Sequence, residues 1–389
     1  MKIKKPLLLT LILCVALVGS VFTQEKDKLI YATESGLGIQ LSGEVEMEFI
    51  DVEGQGGFSH QDLTYQKVKT RSPHMRIDKA VFATKIIYNE NLSYEIQFRY
   101  DDDDAYVDKH FATLKIPKIN TVFEIGKNRP LVHMKRRTEG YPLIGTAFWK
   151  GREYHVTSNT AFALTENIKL IGGLSFAMKR PLASDDAAED KSFKMLVYGD
   201  YQTKDGQTFE YGAVGGFEAY GLYGMGWYYS SKLIDDFDWK TQLSQTLAQY
   251  DLLGDRTDLT HWWYGGRVGF DRWNIRARAE YIESLDGLLP RDGYYAECSY
   301  RINVSSFLPI KNIEPLFRFG ALTVRDHPEL LGETATWDRE MTTLALLTRI
   351  NDNLTLKFEY YLLNEVTGAE PPDDSVKDNQ FLTQISFGF

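Results

Sequence analysis

The chain has 389 residues, a formal net charge of −10 and 13% aromatic residues. An acidic balance of this size argues against nucleic acid as a partner, and a mean hydropathy on the polar side excludes a bundle of apolar spanning helices. The length suits two soluble domains or one large barrel.

In chain order, the first element is a leader. Lys2, Lys4 and Lys5 precede an apolar run from Leu7 to Val18 that ends on the small residues Gly19 and Ser20. Charged start, short apolar middle and small-residue exit describe a secretory signal peptide over residues 1–20, with cleavage after Ser20 or as far on as Gln24. Cys14 sits inside the apolar run without the small residue that a lipoprotein signal places before its cysteine, so lipidation is rejected. The mature chain then keeps Cys298 alone and forms no internal disulfide, and loss of three lysines takes its charge from −10 to −13. Residues 21–36 are expected to form a short periplasmic segment ahead of a barrel over 37–389.

From residue 37 onward the recurrent pattern is strict alternation. In "LSGEVEMEF" (41–49), Leu41, Val45, Met47 and Phe49 alternate with Glu44, Glu46 and Glu48. Leu92, Tyr94, Ile96 and Phe98 alternate with Glu95, Gln97 and Arg99, and Ala277, Ala279 and Tyr281 with Arg276, Arg278 and Glu280. Near the C-terminus Leu356, Phe358 and Tyr360 alternate with Lys357 and Glu359, and the chain closes on "FLTQISFGF". Candidate strands are 37–50, 74–88, 92–100, 105–116, 121–130, 152–164, 167–179, 193–203, 208–219, 221–230, 261–271, 273–283, 293–304, 312–324, 339–350, 353–363 and 379–389.

Between them, tight polar turns at Asn89–Asn91, Thr165–Asn167, Asp271–Trp273 and Asn351–Asn353 alternate with longer loops near 51–73, 128–151, 180–192, 231–260, 284–292, 325–338 and 364–378. Short turns at one rim and long loops at the other describe an outer-membrane β-barrel, whose outward face meets lipid and whose inward face meets water. The fold class is therefore all-β, a transmembrane antiparallel barrel with long extracellular loops, short periplasmic turns and an outer-membrane location. Seventeen candidates conflict with the even strand number of bacterial single-chain barrels. Treating 208–230 as one long strand gives sixteen, and a further strand in 237–250 gives eighteen. Sixteen is the expectation.

Several stretches resemble the phosphate-selective (polyphosphate-selective) porin family. "SPHMRIDKAVFATKIIYNENLSYEIQFRYD" resembles its early hairpin. "AYVDKHFATLKI" and "VFEIGKNRPL" resemble the next pair, with Gly126, Lys127 and Pro130 in a Gly-x-x-x-Pro pattern. "GYYAECSYRI" and "IEPLFRFGALTVRD" resemble late strands, and the terminal Phe389 resembles the ending read by the barrel assembly machinery. The resemblance implies a homotrimer of sixteen-stranded barrels, each pore narrowed by an infolded loop, conducting small hydrophilic solutes with anions such as phosphate preferred. This sequence departs from a purely basic pore. Its expected lumen positions mix Arg76, Arg99, Lys169, Lys194, Arg276, Arg278, Arg301, Arg318 and Lys357 with Glu44, Glu46, Glu48, Glu95, Glu280, Glu297 and Glu359.

The sharpest functional candidate is the segment 128–151 with its flanks. It carries Lys127, Arg129, His133, Lys135, Arg136, Arg137, Lys150 and Arg152. Folded inward, these cations form a constriction that selects anions. Left outside, they bind lipopolysaccharide phosphates. "DDDDAYVD" (101–108) lacks the glycine and ligand spacing of a calcium loop and reads as an exposed acidic loop. Trp227, Tyr228, Tyr229, Trp262, Trp263 and Tyr264 read as interface-belt aromatics, with a sugar-stacking path as the alternative. The histidines at 60, 74, 110, 133, 155, 261 and 327 show no metal-binding spacing and no nucleophile elbow is present, so neither an enzyme nor a cofactor is expected. The competing readings are a sugar or organic-solute channel and a non-conducting structural or adhesive barrel.

Overall fold

The computed structural model describes residues 29–32, 37–52, 57–58, 65–66, 73–101, 104–149, 151–179, 208–232, 260–286, 289–304, 310–324, 338–367, 373–376 and 379–389. Sixteen long strands form one antiparallel sheet that closes on itself. They are β1 (Gly38–Val52), β2 (His74–Ile87), β3 (Leu92–Asp101), β4 (Asp104–Ile116), β5 (Thr121–Asn128), β6 (Glu153–Thr165), β7 (Ile168–Lys179) and β8 (Thr208–Ala219). The second half comprises β9 (Leu222–Lys232), β10 (Thr260–Arg272), β11 (Ile275–Asp286), β12 (Leu289–Tyr300), β13 (Asn312–Val324), β14 (Asp338–Arg349), β15 (Leu354–Thr367) and β16 (Gln380–Gly388). Between β5 and β6 lies a short helix, α1 (Leu143–Phe148).

Closure is made by β16 on β1, in register from Glu44 opposite Gly388 to Val52 opposite Gln380. A sheet in lipid must close in this way because hydrocarbon offers no partner for a free edge. The last residue completes the seam: Phe389 and Gly43 exchange two backbone hydrogen bonds, each 3.0 Å. A side chain there is crowded, since a Cβ at position 43 would stand 2.4 Å from the Phe389 ring and 2.9 Å from the Val81 carbonyl oxygen.

The strand count agrees with sixteen, but for a different reason than expected. The Gly-rich stretch 208–230 is two strands joined at Tyr220–Gly221, where both residues adopt positive φ. Two adjacent residues in the left-handed region make the tight turn that joins neighbouring strands, and one long strand is excluded. The candidates 193–203 and 237–250 lie outside the described residues, as do residues 1–28 with the leader. Residues Leu29–Ala32 extend the sheet by pairing with the start of β1. The expected loop at 284–292 shrinks to the connection 287–288.

Alternation divides the wall as read. Met47, Phe82, Phe98, Leu174, Phe317, Leu344, Phe358 and Ile385 are exposed on the outside, while Glu46, Glu48, Glu280, Glu297, Arg318 and Glu359 are buried inside. Away from the strand ends, the described residues break the alternation at two places, each a one-residue bulge. In the β1–β2 register Glu46 faces Lys79 and Met47 faces Ile77, leaving Asp78 as the extra residue. In β3–β4 Gln97 faces Lys109 and Phe98 faces Val107, leaving Asp108 extra. Asp108 is thus a buried strand residue, and of the expected acidic loop only 102–103 separates the strands.

Candidate functional site

The segment between β5 and β6 enters the barrel and crosses its interior. Its backbone leaves β5 at Asn128, and Arg267 of β10 donates to the Val132 carbonyl at 2.7 Å. Tyr141, Leu143, Ile144, Ala147, Phe148 and Trp149 are all buried in one apolar cluster with inward residues of the wall, including Trp227, Tyr229, Trp263, Tyr295, Leu322 and Tyr361. Fully burying one such side chain is worth about 1.5–3 kcal/mol, so this cluster holds the segment strongly. The wall makes room for it at Gly293 of β12, where a Cβ would meet Ile144 at 2.4 Å.

These contacts overturn the belt assignment for half of the aromatic run. Trp227, Tyr229 and Trp263 point inward, and Trp263 stacks on Tyr229 with centroids 4.3 Å apart and on Phe148 at 5.9 Å. Tyr228 and Tyr264 face out, and Trp262 stacks on Tyr264. The inward rings are packed against α1 and present no open stacking path.

Polar contacts hold the same segment from β12 round to β2. Arg136 contacts Glu46 at 2.5 Å and Asp78 at 3.2 Å, and it also bonds the Glu139 carboxylate. Burial alone would lower the Arg136 pKa, but the carboxylates of Glu139, Glu46 and Asp78 outweigh it and hold the guanidinium charged. Arg137 reaches Glu297 at 2.8 Å and Glu314 at 2.6 Å. Glu139 bonds Gln384, its backbone N–H donates to Glu359 at 2.8 Å, and the next N–H donates to the Tyr361 hydroxyl at 2.7 Å. At the far end the Trp149 indole donates to Glu280 at 2.8 Å, and Arg152 meets Asp108 at 2.6 Å.

The other expected constriction residues divide. His133 lies half-buried, with Arg129 at 2.7 Å from its Nε2 and its ring edge-on to Trp149. Burial, then the neighbouring Arg129, Arg152 and Arg267, lower its pKa to about 3, so it is neutral at pH 7 and is not one of the cations. Lys135 is exposed, and Lys150 lies outside the described residues. Lys127 belongs to the opposite side of the wall. Its register partners are His110 and Tyr154, whereas its neighbours Glu124 and Asn128 bond each other inside. The strand parity that puts Glu124 inward turns Lys127 outward.

Expected lumen charges fall inside, mostly in pairs. Arg76 meets Glu48 at 2.5 Å, Lys109 meets Glu95 at 2.6 Å, and Lys357 donates to Gln384 at 2.6 Å. Glu297 gathers Arg318 at 2.6 Å, Arg278 at 3.0 Å and Arg137. Arg276 pairs with Asp271, Arg301 lies 4.0 Å from Glu314 at the short-turn rim, and Glu44 receives Ser386. Arg99 sits on the inward face of β3 opposite Tyr106, and Lys194 is outside the described residues. The residues missed from sequence are Asp78, Asp108, Glu139, Arg267 and Glu314. Arg267 pairs with Glu280 at 2.7 Å under the Trp149 and Trp227 rings. Oxygens of Glu46, Asp78 and Glu139 lie within 4.8 Å of one another, and the Arg136 guanidinium stands where a metal cation would.

No family model matches the sequence, and no curated protein matches it either. Solved structures do match in shape. OmpF of Salmonella typhi, in complex with daunomycin, superimposes with a TM-score of 0.62 at 14% identity, over 93% of this chain and 100% of that one. The outer membrane channel DcaP of Acinetobacter baumannii gives 0.58 at 10% identity, over 92% and 99%. An anion-selective porin from Comamonas acidovorans gives 0.56 at 9% identity, over 91% and 100%. In fold, the chain is a porin-like bacterial outer-membrane β-barrel.

Proposed function

We propose that this protein is an outer-membrane diffusion channel for small hydrophilic solutes that prefers anions, phosphate among them. Residues 1–20 direct its export, Phe389 serves as its assembly signal, and three copies associate among lipid and lipopolysaccharide. The observation that carries the preference is which inward cations remain available. Arg136, Arg137 and Arg152 are matched by carboxylates. Lys85, Lys115 and Lys169, on the inward faces of β2, β4 and β7 beside the short-turn rim, make no ion pair among the described residues, although Lys85 and Lys169 stand in register opposite Glu95 and Glu218. Positive charge not tied into ion pairs around a mouth raises the local concentration of anions and favours their entry. The anion-selective porin from Comamonas acidovorans, which shares this fold, is consistent with that preference.

A plugged, non-conducting barrel is the second reading, favoured by the apolar cluster that α1 builds inside the wall. Planar-bilayer conductance in a KCl gradient separates the two. The channel reading expects a reversal potential of anion-selective sign that falls toward zero in a Lys85→Gln, Lys115→Gln, Lys169→Gln variant. A cation-selective sign retires the anion preference, and absence of conductance leaves the plugged barrel.

A further inference from the structure

The two bulges that lie within the strands carry the same three-residue pattern, an apolar residue followed by Asp and Lys: Ile77-Asp78-Lys79 on β2 and Val107-Asp108-Lys109 on β4. A bulge places one extra residue on a strand, so two consecutive side chains reach the same face. Here both send the Asp and the Lys inward together. The partners repeat as well. Each lysine pairs with a glutamate of the preceding strand, Lys79 with Glu46 at 2.9 Å and Lys109 with Glu95 at 2.6 Å. Each aspartate is 1% exposed and meets an arginine of the inward segment, Asp78 with Arg136 at 3.2 Å and Asp108 with Arg152 at 2.6 Å.

We infer that the two apolar-Asp-Lys bulges are matched sockets that seat the inward segment and so fix the aperture it leaves. The lysine neutralises the wall, and the aspartate, supplied only because the bulge adds a residue, faces the incoming guanidinium. A regular strand offers one inward side chain per two residues and cannot do both at one level. Arg136 sits midway along the segment and Arg152 at its return into β6, so the sockets hold it at two separate points. Asp78 and Asp108 are positioning residues, acting on permeation through the segment they hold. The inference rests on the channel reading only for its effect on conductance.

The test labels Lys135→Cys with a nitroxide on a Cys298→Ser background and reads its mobility in the membrane-reconstituted full chain. The parent is expected to show one immobilised spectrum. Asp78→Asn with Asp108→Asn is expected to raise the ratio of mobile to immobile label about tenfold or more, since the first takes one of the three carboxylates that hold Arg136 and the second takes the carboxylate that meets Arg152. Each single change is expected to fall between. Arg136→Gln with Arg152→Gln attacks the same contacts from the segment and leaves the strands intact, so it decides the matter if the aspartate variants fail to fold. An immobile label in the folded variants overturns the sockets. Conductance of the same samples is read separately: a released label with no current sinks the channel reading while the sockets stand, and normal current with an immobile label does the reverse.

Discussion

The inner wall of this barrel has two unlike sides. From β9 round to β1 it is clad by residues 132–149, and its charges are tied into contacts such as Arg137 with Glu297 and Trp149 with Glu280. From β2 to β7 it meets that segment mainly at Asp78 and Asp108, and at the short-turn rim Lys85, Lys115 and Lys169 stand without ion pairs among the described residues. Charge inside a barrel is not the same as charge offered to a solute. On the clad side cations fasten a plug of side chains, and on the other side these three lysines fasten nothing among the described residues.

The clad side breaks most severely at Glu297, the one carboxylate shared by Arg137, Arg278 and Arg318. Glu297→Gln is expected to cost about 3–5 kcal/mol, because removing one partner of a buried pair leaves uncompensated charge. The check is the urea midpoint for loss of the folded, heat-modifiable band. An unchanged midpoint would show that water already screens these arginines and that the clad wall is wetter than its burial implies. A milder cut is Trp149→Phe, which keeps the ring and removes the 2.8 Å bond to Glu280. It is expected to cost about 1–3 kcal/mol, as for a buried acceptor deprived of its donor. The same denaturation series measures it, and an equal loss in Arg267→Gln would assign the effect to the Glu280 carboxylate.

How much of this was legible in the sequence follows from what alternation can and cannot encode. Glu46 and Glu48 declared the inward face because greasy neighbours at 45, 47 and 49 left them nowhere else to go. The aromatic run at 227–229 and 262–264 did not divide itself, since both faces there are apolar: one meets the outside and the other meets α1. Lys127 misled because the basic residues after it enter the barrel, while its own parity, set by inward Glu124, turns it out. Asp78 and Asp108 were invisible for a different reason. A bulge shifts the parity by one residue, and nothing in Asp-Lys as a dipeptide distinguishes a bulged strand from a regular one. The infolded segment was expected from its basic residues and the family resemblance. Its apolar half, Tyr141 to Trp149, proves as important to its seat as the arginines.

Acid is the gentlest perturbation of the clad side. His133 lies where the clad segment leaves β5, accepting from Arg129 and edge-on to Trp149, and its pKa is lowered from the usual 6.5 to about 3 by burial first and by nearby arginines second. A segment released from the wall has a histidine of ordinary pKa, so between those two values the released form binds the extra proton. The seat is therefore at full strength above about pH 6.5 and weakens as pH falls toward 3, by about 1.4 kcal/mol at one unit below 6.5. Label mobility at Lys135→Cys is expected to rise on going from pH 7.5 to about 5.5, and His133→Gln, which keeps an acceptor for Arg129 but cannot titrate, is expected to flatten that rise. A rise that persists in His133→Gln would rule out His133 as its source.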